Sequence, residues 1–220
     1  MKIIAISDIH NNYSVIGNLG NELAKTDIII IAGDITHFGS GKDAEKIINE
    51  IEKYNKKIFA VSGNCDKSEI EKYLKEKNIS VHKEIKNIPE FDINILGFGG
   101  SLTTPVPTPN TCSEDEYKKY LETIDITPDI FVSHQPPIDT IADMIPNGKH
   151  VGSFSLREFI DTKQPALYIC GHIHESIGKE YYGKTLVVNP GPLKDGFYAL
   201  IKRNASNEFS AELKNILSSR

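Results

Sequence analysis

The sequence lacks three features that would place it in a special class of proteins. It has only three cysteines, Cys65, Cys112 and Cys170, in 220 residues. An odd number without framework spacing argues against a disulfide scaffold and is consistent with a reducing cytosol. It has no excess of positive charge, since 25 basic and 30 acidic residues give −5. We therefore expect neither a nucleic-acid duplex nor a membrane surface as its partner.

Long apolar runs are also missing. Runs such as Ile28–Ala32 are far shorter than the roughly 18 residues that a membrane span needs. The N-terminal segment MKIIAISDIH has one positive charge and about four consecutive apolar residues before the polar Ser7-Asp8, which is not typical of a signal peptide. We therefore expect a cytoplasmic protein. No Gly/Ser-rich linker or repeat divides the chain, so we expect one domain over residues 1–220.

Short apolar runs alternate with helical patterns in the first part of the chain. Predicted strands cover residues 2–6, 27–32 and 58–61, and predicted helices cover residues 13–25, 42–54 and 68–77. Such a rhythm predicts parallel strands with both faces covered by other elements.

The second part of the chain has strands that follow one another more closely. Strands are predicted at residues 92–96, 130–132, 166–169, 185–188 and 197–201, and helices at 114–122 and 155–160. Less helix between strands favours a second sheet that is mixed or antiparallel. Residues 101–110, with three prolines, and residues 135–152 are predicted loops. Long loops in compact domains often form the rim of a functional site.

Five of these strand-like runs end in residues that can bind a metal ion. The residues at the five ends are Asp8 and His10, then Asp34, then Asn64, then His134, then His172 and His174. In open α/β sheets, ligands bind beyond the carboxyl ends of the strands, so we expect these side chains to lie together. Carboxylate oxygens and imidazole nitrogens are common ligands of divalent metals.

The spacing within these blocks supports the same interpretation. Asp8-x-His10 and His172-x-His174 each place two side chains on one side of an extended segment. Each block alone also fits a structural role, such as a turn at Asp34. Their occurrence together favours a metal site.

The blocks also resemble a known family. Asp8-x-His10, Gly33-Asp34, Gly63-Asn64-x-Asp66, His134 and Gly171-His172-x-His174 follow the order seen in the calcineurin-like metallophosphoesterases, over residues 8–191. The short chain is similar to the compact prokaryotic phosphodiesterase-like branch. The resemblance implies an α/β fold, a four-layer α/β/β/α sandwich of two mixed sheets, with two divalent metal ions bound at the sheet edge.

The resemblance also implies which residue holds which ion. The first ion would take Asp8, His10, Asp34 and His174, and the second would take Asp34, Asn64, His134 and His172, with Asp34 as the bridge. Mn, Fe, Zn, Co and Ni all suit such mixed nitrogen and oxygen sites. Two ions roughly 3.5–4 Å apart can hold a hydroxide for in-line attack on phosphorus. The expected substrate is a small-molecule phosphate ester, and Asp34 and Asn64 are expected to be catalytic.

One departure from the family pattern bears on the substrate. Cys65 stands where many members have a histidine that is thought to assist the leaving group, and a thiol is a weak hydrogen-bond donor. The Gly-Asn-Cys-Asp version favours a phosphodiesterase, with a phosphomonoesterase or a nucleotide pyrophosphatase as the alternative. A non-catalytic scaffold of the same fold is a further alternative, but it should have lost ligands, and all seven are present.

Three residues are further candidates for contact with substrate. Asn12 matches an asparagine of the family, and both it and Asn64 are expected to bind the phosphate group. His150 lies in the loop that begins beside His134, and it is the best candidate to bind substrate and to donate the proton that Cys65 cannot supply. A surface position for His150 is the alternative.

Overall fold

The computed structural model describes residues 1–217. Its strands are β1 Lys2–Ile6, β2 Ile28–Ala32, β3 Ile58–Val61, β4 Lys86–Ile88, β5 Ile93–Phe98, β6 Ser101–Leu102, β7 Thr111–Cys112, β8 Ile130–Ser133, β9 Leu167–Ile169, β10 Gly178–Tyr182, β11 Thr185–Asn189, β12 Phe197–Arg203 and β13 Phe209–Asn215. Its α-helices are α1 Tyr13–Leu23, α2 Gly41–Glu52, α3 Ser68–Glu76, α4 Glu114–Leu121 and α5 Phe154–Lys163. Short 3₁₀ helices cover Pro89–Phe91 and Leu193–Asp195.

The strands form two large sheets. The first has the order β13-β12-β1-β2-β3, in which β1, β2 and β3 are parallel and β12 and β13 are antiparallel. The second has the order β10-β11-β9-β8-β5-β4, with four parallel strands between antiparallel edge strands. Both sheets are mixed, as predicted.

Alternation along the strands explains how the layers form. In β1, Ile3 and Ala5 belong to the core between the two sheets, whereas Ile4 and Ile6 pack with α1, α2 and α3. Every residue of β2 is buried because both faces of this strand are covered. On the other side, α4 and α5 pack on the second sheet, where Phe131 is fully buried. The four-layer α/β/β/α sandwich is therefore confirmed.

Three strands of the two large sheets have no counterpart in the predicted elements. The strands β4, β10 and β13 lie at sheet edges, where part of each strand faces solvent. Edge strands therefore lack the continuous apolar run that identifies a buried strand. Residues 197–201 were predicted to belong to the second sheet, and this was wrong. They form β12, which pairs antiparallel with β1 in the first sheet. The predicted loop 101–110 begins with β6, which pairs with β7.

Within residues 1–217, no helix is both long and apolar enough to cross a membrane.

Candidate metal centre

The five predicted strand ends meet at one edge of the sandwich. Three of them follow β1, β2 and β3 in the first sheet, and two follow β8 and β9 in the second. They surround a cavity of about 870 Å³, called the metal cavity below. The predicted ligands that line it are His10, Asp34, Asn64, His172 and His174. The other two, Asp8 and His134, are almost completely buried.

One group of donors centres on Asp8. Its Oδ1 lies 3.0 Å from His174 Nε2 and 3.7 Å from His10 Nε2. The ligand atoms of these three residues all lie within 4.8 Å of one another, which is close enough for one ion. His10 Nε2 is also 3.7 Å from Asp34 Oδ2. This set of carboxylate oxygens and imidazole nitrogens fits a divalent transition metal.

A second group centres on His134. Its Nε2 lies 2.9 Å from Asn64 Oδ1 and 3.5 Å from Asp34 Oδ1. Its Nδ1 donates to the Ala32 carbonyl at 2.8 Å, which fixes the ring and aims Nε2 at the other donors. The ring of His172 lies 5.1 Å away, centroid to centroid. Asp34 therefore presents one oxygen to each group.

The backbone of the site is held in an uncommon conformation. Asp8, His10, Asp34 and His172 have positive φ angles of 54°, 46°, 48° and 70°. Such angles cost about 1–3 kcal/mol for a residue other than glycine, and they persist only where the surrounding structure holds them. Backbone hydrogen bonds tie the loops together, from Asp8 N to Gly33 O and from His10 N to Asp34 O. Four candidate ligands with such a backbone at one edge of the sandwich are consistent with a functional site.

Electrostatic interactions put several donors in the protonation state that a metal requires. Burial alone would raise the pKa of Asp8 and of Asp34. The neighbouring His174 and His134 lower these pKa values by more than burial raises them, so both carboxyl groups are ionised. Burial and the nearby His134 lower the pKa of His172 to about 4, so this imidazole is neutral. Burial lowers the pKa of His134, but Asp34 raises it to about 9. Coordination of a metal ion by His134 would therefore release a proton near neutral pH.

Asp66 is a positioning residue beneath the site. Its fully buried carboxyl group accepts hydrogen bonds from Ile35 N, Thr36 N, Thr36 Oγ1 and Gly63 N, at 2.8–3.0 Å. These donors belong to the loops that follow β2 and β3. Asp66 thus links the loop that carries Asp34 to its neighbour.

Cys65 lines the metal cavity but is not activated. Burial raises the pKa of its thiol strongly, and the Asp34 carboxylate raises it further. The thiol therefore stays protonated, and it is a poor metal ligand and a weak proton donor. This argues against the alternative cluster of His10, His37 and Cys65, whose donor atoms also lie within 4.8 Å of one another.

The structure places Asn12, an expected phosphate contact, in two hydrogen bonds within the protein. Its amide donates to the Lys194 carbonyl at 2.9 Å, and its Oδ1 accepts from Ser14 Oγ at 2.8 Å. Both polar ends of the side chain are occupied, and Asn12 does not line the metal cavity. Asn11 lines it instead. Asn12 holds the short helix that carries Lys194.

His150 lies outside the metal cavity, in a neighbouring one. Its Nδ1 lies 2.6 Å from Asp143 Oδ1, and this hydrogen bond raises the pKa of the imidazole. The neighbouring cavity shares His172 with the metal cavity, so the two are adjacent.

Lys194 is a lining residue that sequence reasoning missed. It belongs to the 3₁₀ helix that follows β11, and its backbone N–H donates to Asp8 O at 3.1 Å. No carboxylate of residues 1–217 lies within ion-pair distance of its ammonium group, although it lines the metal cavity. The sequence signal that could have indicated Lys194 is its position just after a strand, because the turn after β11 reaches the same edge of the sandwich as the candidate ligands.

Comparisons with known proteins identify the family of the chain. A family profile described as calcineurin-like phosphoesterase matches residues 1–176. The chain therefore belongs to the calcineurin-like phosphoesterase family, whose members hydrolyse phosphate esters.

Individual relatives extend the match over almost the whole chain. An uncharacterized protein of Methanocaldococcus jannaschii, MJ1162, is 37% identical over 210 residues, covering 93% of this chain and 94% of the relative. A probable glycerophosphodiester phosphodiesterase, GpdQ of Arcobacter nitrofigilis, is 24% identical over 218 residues, covering 93% of this chain and 77% of the relative. The structure of TT1561 of Thermus thermophilus superimposes with a TM-score of 0.75 at 19% identity, over 98% of each chain. That likeness supports the fold.

Proposed function

We propose that this protein is a phosphodiesterase that uses two divalent metal ions. The observation that carries the proposal is the position of Asp34, whose two oxygens face His10 on one side and His134 on the other. Asp8, His10, Asp34 and His174 would hold one ion. Asp34, Asn64, His134 and His172 would hold the other.

The two ions would supply a hydroxide near neutral pH and would neutralise charge on the phosphoryl oxygens. The protein positions the donors for this chemistry. Asp34 is fixed by the hydrogen bond from Cys65 N at 2.8 Å, and His134 by Ala32. The Asn64 amide lines the cavity, where it can contact both an ion and a phosphate oxygen. Fixed donors need no reorganisation during the reaction, which is the main requirement in phosphoryl transfer.

Two observations support a diester as the substrate. Among the described residues that line the metal cavity, Lys194 is the only lysine and none is an arginine. A diester carries one negative charge and needs fewer cationic contacts than a monoester dianion. The similarity to a protein named as a probable glycerophosphodiester phosphodiesterase points to the same class.

His150 is the proposed proton donor to the leaving group. The hydrogen bond to Asp143 raises the pKa of its imidazole, which increases the protonated fraction near neutral pH. Its place next to the metal cavity is consistent with a leaving group that extends past His172.

Removal of metal is expected to abolish hydrolysis of bis-p-nitrophenyl phosphate, and Mn²⁺ is expected to restore it. The same addition should stabilise the fold, by about 2.7 kcal/mol at a hundredfold excess of metal over its Kd, because the ion binds the native state. Activity, Tm and metal content by elemental analysis are measured on the same chelated and reloaded samples. Full turnover in protein verified as metal-free would refute the proposal. If the chelated and the reloaded samples have the same Tm, the proposed metal site is refuted.

Phosphomonoester hydrolysis is the second candidate function, and Lys194 is the observation that favours it. Its ammonium, which has no ion-pair partner within residues 1–217, could bind the extra charge of a monoester. Charge-assisted hydrogen bonds contribute about 1.5–3 kcal/mol, so Lys194→Met should lower kcat/KM for p-nitrophenyl phosphate by roughly tenfold or more. The loss on the diester should be smaller. Steady-state kinetics on both substrates, for this variant and for the exposed control Lys25→Met, measure the difference.

The wild-type protein should in any case have a higher kcat/KM for the diester than for the monoester. A clear preference for p-nitrophenyl phosphate would reverse the choice between the two functions. Equal losses on both substrates in Lys194→Met would show that Lys194 binds a group common to both.

A further inference from the structure

A second cavity lies beside the metal cavity, and we call it the flanking cavity. Its volume is about 530 Å³, and Thr104 and His172 line both cavities. Ile173, which stands between the candidate ligands His172 and His174 in the chain, also lines it. The two cavities are therefore adjacent, with Thr104 and His172 on their common border.

One wall of the flanking cavity is built around the buried carboxylate of Asp143. This side chain is fully buried and accepts hydrogen bonds from Thr140 N at 3.0 Å and Gly152 N at 2.9 Å, as well as from His150 Nδ1. The loop between β8 and α5 has no regular secondary structure, and these bonds, together with backbone bonds such as Ile138 N to Ser153 O, hold its course. The wall is therefore preformed rather than shaped by a ligand.

A second set of contacts joins this wall to the opposite one. The buried side chain of Gln135 accepts from Leu102 N at 3.1 Å and donates to Val151 O at 3.0 Å. The backbone N–H of Phe154 donates to the Glu114 carboxylate at 2.8 Å. Both walls of the flanking cavity, and the position of Phe154 at its edge, are thus held by hydrogen bonds.

The lining is mainly apolar. It includes Pro105, Ile138, Ile145, Val151 and Phe154. The Phe154 side chain is 69% exposed, which is unusual for an aromatic residue on a fixed backbone. Of the described residues that line this cavity, none is acidic and one, Lys149, is a lysine. An anionic ester with an apolar ester group meets no repulsion there.

We propose that the flanking cavity binds one ester group of the substrate and that it selects an apolar or aromatic group, such as an aryl or nucleoside ester, over a small polyol. The inference rests on the proposed phosphodiesterase function. A planar ring gains from burial against Ile145 and Val151 and from contact with the Phe154 ring. A small polar group such as glycerol would leave this apolar surface exposed to water.

The test uses phosphonates, which have no ester bond and cannot be hydrolysed. Isothermal titration calorimetry with the Mn²⁺-loaded protein is expected to show that phenylphosphonate binds at least about tenfold tighter than methylphosphonate, because the ring is buried in the flanking cavity. Ile145→Ala and Phe154→Ala should weaken phenylphosphonate binding by at least about threefold and leave methylphosphonate binding unchanged.

Ile126→Ala is the matched control, because Ile126 is exposed and lines a different cavity. It should change neither affinity. Equal affinities for the two phosphonates, or equal losses on both in Ile145→Ala and Phe154→Ala, would overturn the inference. Hydrolysis of bis-p-nitrophenyl phosphate by the same sample distinguishes failure of this inference from failure of the proposed function. If hydrolysis persists, the proposed function stands without the inference; if hydrolysis and the binding of both phosphonates are absent, both are overturned.

Discussion

Replacing Asp34 with Asn is expected to remove metal binding and hydrolytic activity together. One oxygen of the Asp34 carboxylate faces His10 and the other faces His134, and the side chain is almost completely buried. An amide keeps the shape but removes the negative charge that would offset the charge of the two proposed ions. We expect kcat for bis-p-nitrophenyl phosphate to fall by at least about 10²–10³-fold, the loss typical when one preorganised electrostatic contact is removed.

Two further variants make this prediction specific. Asn64→Ala should reduce metal content and kcat less, because the Asn64 amide is neutral and faces only the His134 group. Asp195→Asn should have no effect, since it removes the same charge from an exposed residue next to Lys194. Metal stoichiometry by elemental analysis and kcat are measured for all three. An Asp34→Asn protein with two bound ions and near-native kcat would end the bridging assignment.

The convergence of the candidate site residues was easier to predict than the membership of the edge strands, and the reason is physical. Apolar runs that end in Asp8, Asp34 and Asn64 belong to parallel neighbours, so their convergence follows from strand geometry. His134 and His172 lie on the second sheet. Their approach to the first three depends on the packing of one sheet on the other. No local pattern encodes that packing; the four-layer arrangement of the two sheets was implied only by the family resemblance.

Residues that reach the site through turns were harder to predict. Lys194 is placed by hydrogen bonds from its own backbone to Asp8 O and from Asn12 to its carbonyl. Neither bond leaves a signal in the sequence, because they join segments 182 or more residues apart. His150 likewise depends on Asp143, whose role as the centre of a loop is visible only when its four donors are in place. Buried polar side chains that organise loops are thus the features that a sequence predicts least well.

Gly63 illustrates how closely the fold and the site depend on each other. A Cβ atom at this position would lie 2.7 Å from Asp34 Cγ and would overlap the Asp34 backbone nitrogen. The backbone cannot move away easily. Its N–H donates to Asp66 at 2.8 Å, and its carbonyl accepts from Asn110 Nδ2 at 2.9 Å. Only glycine therefore allows the loops after β2 and β3 to pack with Asp34 in position.

Gly63→Ala is accordingly expected to destabilise the protein by about 3 kcal/mol, the upper end of the range for overpacking in a tight core. Metal content should fall in parallel, because the added methyl group displaces the Asp34 carboxylate. Gly17→Ala is the matched control. Gly17 lies in α1 with nothing near its Cβ position, so alanine there should stabilise the protein by about 0.5–1 kcal/mol. Urea denaturation and elemental analysis of both variants measure the effects. If Gly63→Ala were as stable as the wild type and kept its metal, the close packing of the two loops would not be what positions Asp34.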